Sequence, residues 1–162
     1  MIVPKRIDVA TVSAVVGTLY PSPYDLPCRK RERRRLGDAA SLTQFGVNHL
    51  RLPPGAWSSQ RHWHEASDEF VFVLSGEVVL VTDAGEEILR AGDAAGFKAG
   101  DSNGHCLQNR STAEAIVLEV GTRVPDDAAH YPDIDLAAPR GGKPAAYTHR
   151  DGTPSENIVR RS

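Results

Sequence analysis

Two histidines two residues apart, with a glutamate five residues further on, carry the densest chemistry of this 162-residue sequence. Within Gln60-Arg-His62-Trp-His64-Glu-Ala-Ser-Asp-Glu69-Phe70, His62 and His64 stand at i and i+2. Side chains at that spacing share one face of a strand, so both imidazoles enter one interior and Trp63 turns away. Gln60 has the same parity and is expected to line the same cavity. Glu69 opens the next apolar run, where a tight corner brings its carboxylate back toward the pair. Two neutral imidazoles and a carboxylate suit one divalent transition metal ion: Fe, Mn, Ni, Zn or Cu. His105 follows the loop Gly100-Asp-Ser-Asn-Gly104 and supplies a fourth ligand if the intervening strands close into a barrel. The competing explanation is a pair of surface histidines beside a tryptophan. Glu65 and Asp68 are rival carboxylates, but spacing favours Glu69 and leaves those two solvated or behind the ligands.

The elements that must position these residues read as β. Residues 47–52 end at Pro53-Pro54-Gly55, a strong breaker. Phe70-Val-Phe-Val-Leu74 is a β-branched and aromatic run that stops at Ser75-Gly76, a hairpin signal. Its two stripes, Phe70-Phe72-Leu74 and Val71-Val73, read as core on both faces. Residues 77–82 and 86–90 follow, separated by Asp83-Ala-Gly85, and 113–120 form a last apolar run. Short strands at regular spacing, with turns between them and no sustained helical period, predict an all-β sandwich or barrel. Residues 1–40 and 123–162 are richer in proline and charge and are read as N- and C-terminal arms of a domain spanning 41–122. Arms of this composition wrap the barrel, reach a partner subunit or stay loose.

Composition narrows the partners. The chain is 40% hydrophobic and 25% charged with a formal net charge of -2, ordinary for a globular protein and against a nucleic-acid binder. Arg29-Lys-Arg-Glu-Arg-Arg-Arg35 is therefore read as a solvated segment, or an arm pairing with a neighbour's acids. Lys98 is expected to be an exposed strand-end residue. Asn109 is expected to hydrogen-bond within the strands. Residues 9–19 are too short and too interrupted to span a membrane, and residues 1–10 lack the apolar core of a secretion signal. Cytoplasm is the expected location. Cys28 and Cys106 are too few and too far apart for a disulfide framework, and Cys106 reads as a small buried residue. His49, His130 and His149 belong to no pattern.

The stretch Gly55-x6-His62-x-His64-x4-Glu69-x6-Gly76 resembles the first cupin motif, with one extra residue after the leading glycine. Gly92-x5-Lys98-Ala99-Gly100-x4-His105-x3-Asn109 resembles the second, with Lys98 where proline is usual and two additional residues before the histidine. His-Trp-His followed by DEFVFVLSGEVVLVTDAGEE is similar to small single-domain cupins of the conserved-barrel type. Gly121-Thr-Arg and Tyr131-Pro-Asp-Ile-Asp135 resemble a bacterial subgroup loosely described as sugar-phosphate isomerase-like or regulator-like. The resemblance implies a double-stranded β-helix, the cupin jelly-roll barrel. It also implies a metal ion inside held by His62, His64, Glu69 and His105, and a homodimer.

The fold alone does not choose a reaction. The expectation is a metal-dependent enzyme acting on a small polar molecule, isomerase-like or dioxygenase-like. The alternative is a non-catalytic small-molecule-binding or sensor cupin. Isomerisation needs a base to move a proton between adjacent carbons. A metal-bound Glu69 is poorly placed for that, and no second buried carboxylate or Lys is evident beyond Lys98.

Overall fold

The computed structural model describes residues 5–140 and 146–155. Its strands are β1 (Ala14–Val16), β2 (Glu32–Arg35), β3 (Phe45–Leu52), β4 (Trp63–His64), β5 (Glu69–Ser75) and β6 (Glu77–Thr82). They continue as β7 (Gly85–Arg90), β8 (Ala94–Phe97), β9 (Cys106–Gln108), β10 (Ala115–Thr122), β11 (Ala129–His130) and β12 (Ala137–Ala138). A single turn of α-helix, Leu36–Ala39, joins β2 to β3. The expected all-β class is the observed one.

Six strands form one sheet in the order β1-β2-β3-β10-β5-β8, and β7-β6-β9 form a second. A third small sheet, β12-β11-β4, ties the C-terminal segment to the strand bearing His64. The strand pairs recorded in all three sheets are antiparallel. Alternation along the strands builds the main core: Leu50 and Leu52 on β3, Val71 and Val73 on β5, Val78 and Leu80 on β6, Ala115 and Val117 on β10. Each pair is two residues apart, so one face of each strand turns inward. This corrects the expectation for β5. Only its valine stripe is core, whereas Phe70 and Leu74 are exposed.

The Ser75-Gly76 signal is the β5–β6 hairpin. Gly76 has φ +75°, and a Cβ there would lie 2.5 Å from the Glu114 carbonyl oxygen and 2.9 Å from Ala115 Cα. Only glycine fits that reversal without moving backbone.

The two flanking segments make a second core together. Tyr20 and Cys28 from one pack with Ala129, Tyr131 and Leu136 from the other, flanked by Trp57 and Tyr147. Among the described residues the arms therefore wrap the barrel. The six-stranded sheet itself reaches back to Ala14, because β2 pairs with β3 from Glu32↔Arg51 to Arg35↔Asn48. The basic run is thus partly a strand, not a solvated segment. Glu32 and Arg34 turn to one side, where Arg34 donates to the Val12 carbonyl and Glu32 accepts from Arg51. Arg31 and Arg33 turn inward, and Arg31 is buried.

Candidate metal centre

The four residues singled out by spacing come together at one wall of the barrel. His62 and His105 exchange backbone hydrogen bonds, His62 N–H to His105 O at 3.1 Å and His105 N–H to His62 O at 2.9 Å. That reciprocal pair sets their rings side by side, centroids 4.7 Å apart. His64 lies one β4 residue further on and pairs with Ala129 of β11. Glu69 starts β5 between β8 and β10, opposite Phe97 and Gly121. The Gly100–Gly104 loop, despite its extra residues, aims His105 at the same point, and Phe97 stacks on the ring at 3.5 Å.

Three Nε2 atoms converge on the Glu69 carboxylate. His105 is 2.9 Å from Oε2, His62 is 3.5 Å from Oε2, and His64 is 3.6 Å from Oε1. Ligand atoms of His62, Glu69 and His105 all lie within 4.8 Å of one another, a grouping that does not include His64. Two of the opposite ring nitrogens have their own partners. His62 Nδ1 faces the Gln60 carbonyl at 2.9 Å, and His64 Nδ1 faces Asp127 Oδ2 at 2.7 Å. A carbonyl and a carboxylate only accept, so both Nδ1 atoms carry the proton and both Nε2 lone pairs point to the centre when the rings are neutral.

Electrostatics follow the same geometry. Burial alone would raise the Glu69 carboxyl pKa, but the facing His105 and His62 rings outweigh it and hold Glu69 well below the usual carboxylate range. Burial disfavours charge on His62, yet Glu69 more than offsets this and raises its pKa. At His105 burial wins and the pKa is lowered. Asp127 is also lowered: burial opposes ionisation, while contacts from Ser67, the Ala66 N–H and His64 favour it.

The chemistry of this donor set fits a metal ion. Glu69 Oε2 is buried and lacks a well-aligned hydrogen bond, even though His105 Nε2 is close, and His105 Nδ1 also lacks a partner. A buried carboxylate oxygen left in this state is costly unless a cation meets it. Three imidazole nitrogens around one carboxylate match the ligand preferences of Zn, Fe, Mn, Ni or Cu.

The site opens onto a cavity of about 640 Å³, within the range of small-molecule pockets. Its wall includes His62, Glu69 and His105, and also Glu119, Arg31 and Arg33. A second cavity of about 340 Å³ reaches the opposite side through His64, Glu69 and His105.

Sequence reasoning passed over Asp127 and Glu119, and it assigned no site role to Tyr131 or to the two inward arginines. Gln60 does not line either cavity; its amide donates to the Tyr24 carbonyl at 2.7 Å. Residues 58–61 lie outside any strand, so the parity argument does not reach it. Glu65 binds His130 and Arg140, and Asp68 binds Lys98, all away from the ligand cluster. Asn109 Nδ2 donates to the Leu52 and Ala113 carbonyls, as expected of a structural strand residue.

A jelly-roll barrel with three histidines and a glutamate gathered at a cavity wall is the class of fold and site that the structure defines. The chain belongs to the cupin superfamily. Residues 48–121 match the Cupin domain family. A sugar phosphate isomerase from a cupin superfamily, from Silicibacter pomeroyi, is 44% identical with a TM-score of 0.86, covering 95% of this chain and 99% of that one. A structure from Acidithiobacillus ferrooxidans, whose sugar phosphate isomerase designation is provisional, is 27% identical with a TM-score of 0.68 over 82% of each chain. The polyketide cyclase RemF from Streptomyces resistomycificus shares the fold at 21% identity and TM-score 0.59, covering 74% of this chain and 79% of that one. No curated protein matches the chain. Among the described residues, no helix is long and apolar enough to cross a membrane.

Proposed function

We propose that this cupin is a metal-dependent enzyme acting on a small polar molecule, with sugar-phosphate isomerisation the reaction class best supported. The observation that carries the reading is the convergence of three imidazole Nε2 atoms on Glu69 at the wall of a ligand-sized cavity. The near full-length likeness to a protein named sugar phosphate isomerase supports the choice of class. His62, His64, Glu69 and His105 would hold one divalent ion, which would polarise a carbonyl or hydroxyl oxygen of the substrate.

The chain's own residues supply the rest. Beyond Lys98, which is exposed, the sequence offered no base apart from the candidate ligands. Glu119 now fills that gap, because it lines the cavity and is held by Arg33, Nε to Oε2 at 2.7 Å and Nη2 to Oε1 at 2.9 Å. In this reading Glu119 takes a proton from one substrate carbon and returns it to the next. Tyr20 and Tyr147 line the same cavity, and burial raises both phenol pKa values, so their hydroxyls stay protonated and can donate to substrate oxygens.

Two further parts belong to the proposal. Homodimer formation is supported by the exposed Val15 and Val16 on β1, an edge strand of the six-stranded sheet. Cytoplasmic residence is consistent with Cys28 and Cys106 being free, buried thiols, each with its pKa pushed up to about 11 by burial.

Metal analysis of untagged protein tests the centre, and interconversion assays across a panel of sugar phosphates test the reaction. We expect close to one equivalent of metal, lost in His105→Ala, and an isomerase activity that falls at least about 100-fold in Glu119→Gln with metal retained. Less than about a tenth of an equivalent of any transition metal would sink the metal reading. Oxygen uptake without isomerisation would replace the isomerase with an oxygenase. Sedimentation showing only monomer would remove the dimer.

A further inference from the structure

Apart from Arg33, which holds Glu119, the inward face of the basic run has no role in the chemistry above. Arg31 and Arg33 line the large cavity together with Arg35 and Arg123. Strand parity puts the odd-numbered arginines of residues 31–35 on one side and Glu32 and Arg34 on the other.

Arg31 is the informative residue. It is only 8% exposed. Its guanidinium donates from Nε to the Gly17 carbonyl at 3.0 Å and from Nη1 to the Ser58 carbonyl. Among the described residues, no carboxylate hydrogen-bonds to it. Glu119 is committed to Arg33 through two hydrogen bonds, and Arg123 and Arg35 share Asp38. A buried guanidinium whose hydrogen bonds all go to carbonyl oxygens, with Glu119 near but bonded to Arg33, is expensive to retain. Burial accordingly lowers the Arg31 pKa, although an arginine stays charged at any physiological pH.

The cavity wall carries four guanidiniums against the three carboxylates of Asp38, Glu69 and Glu119, before any cation at Glu69 adds to the balance. Planar guanidinium forks match phosphate oxygens better than a lysine point charge does. The protonated hydroxyls of Tyr20 and Tyr147 stand on the same wall as additional donors.

We propose that the arginine face of β2, with Arg31 at its buried end, is a subsite for the phosphate group of a small phosphorylated substrate whose opposite end reaches the metal centre. This rests on the proposed function for the second half of the statement, while the anion site itself stands independently of any metal. A dianionic head group supplies the hydrogen-bonded anion that Arg31 lacks, and a cavity of about 640 Å³ has room for a phosphorylated sugar.

Calorimetric titration with inorganic phosphate, on protein stripped of metal and on metal-loaded protein, tests the subsite. Phosphate is expected to bind the stripped protein with one-to-one stoichiometry, and acetate at least about 10-fold more weakly. Arg31→Met should weaken phosphate at least about 10-fold, and Arg35→Gln about 3-fold, with metal content unchanged. Arg34→Gln, on the opposite face of the same strand, should leave it unaltered. Should Arg31→Met fail to fold, the contrast between the exposed Arg35 and half-buried Arg34 variants decides the matter. Phosphate binding only to metal-loaded protein, equal binding by Arg31→Met and wild type, or equal loss in Arg34→Gln and Arg35→Gln would each overturn the subsite. Those results would leave the metal reading standing. Phosphate binding by a protein that takes up no metal would uphold the subsite and remove the proposed enzyme.

Discussion

Asp127 determines how His64 presents its lone pair. The carboxylate accepts from His64 Nδ1 at 2.7 Å and is itself pinned by the Ala66 N–H at 2.8 Å. A carboxylate behind a ligating imidazole fixes the tautomer and makes the ring more basic. Asp127→Asn should therefore lower metal affinity about 10- to 100-fold, with the far-UV spectrum unchanged. Competition against a chromophoric chelator would measure it; equal affinities would remove Asp127 from the centre. Among the candidate ligands, His62, His64 and Glu69 were readable because strand parity and near-contiguous spacing act over a few residues, whereas His105 rested mainly on the resemblance to the second cupin motif. Asp127 was not readable, since it lies 63 positions from His64 and arrives only through the pairing of β11 with β4. Glu119 and Arg33, 86 positions apart, were hidden for the same reason.

At the scale of elements, the β5–β6 hairpin is where a small change should do most. A methyl group on Gly76 meets backbone atoms of residues 114 and 115, which cannot swing aside as a side-chain end would. Gly76→Ala adds that clash to a left-handed φ, so a loss of at least about 2 kcal/mol is expected. In a chain of this length, that means a melting temperature lower by roughly 4–8 °C. A melt within a degree of wild type would show that the hairpin relaxes. The turn was legible from Ser75-Gly76, and the strands around it from their β-branched runs. Strand β2 was not, because Glu32-Arg-Arg-Arg35 has no apolar alternation; its place comes from pairing with β3 and from the acids that meet it. Phe70 and Leu74 were misplaced because hydrophobicity alone does not tell an inner stripe from an exposed one.

At the scale of the molecule, the two flanks brace the barrel. Arg61, just before the ligand segment, spans two distant acids: Asp83 in the β6–β7 hairpin and Asp133 in the C-terminal segment. The Arg61 guanidinium, through its hydrogen bonds, lowers the Asp133 pKa. A depressed carboxylate stabilises the fold above its unfolded pKa of about 3.9, and that contribution is lost as pH falls through the lower folded value. Asp133→Asn should consequently melt slightly below wild type at pH 7, by no more than about 1 kcal/mol given its exposure, and the difference should close below about pH 4. A gap that persists in acid would assign the effect to packing.

The stacking of Tyr131 on His62, ring centroids 5.8 Å apart, has a temporal side as well as a spatial one. Every strand of the two large sheets has been synthesised once Thr122 is in place, and so have all four candidate ligands. Yet the acid that orients His64 and the ring that covers His62 come only afterwards, at Asp127 and Tyr131. A nascent chain halted at the end of β10 would carry all four donors, with the Gln60 carbonyl behind His62 and Phe97 on His105, but without Asp127 or Tyr131. Any binding of an ion that depended on those two residues would wait until residue 131 had been made, after the strands of both large sheets.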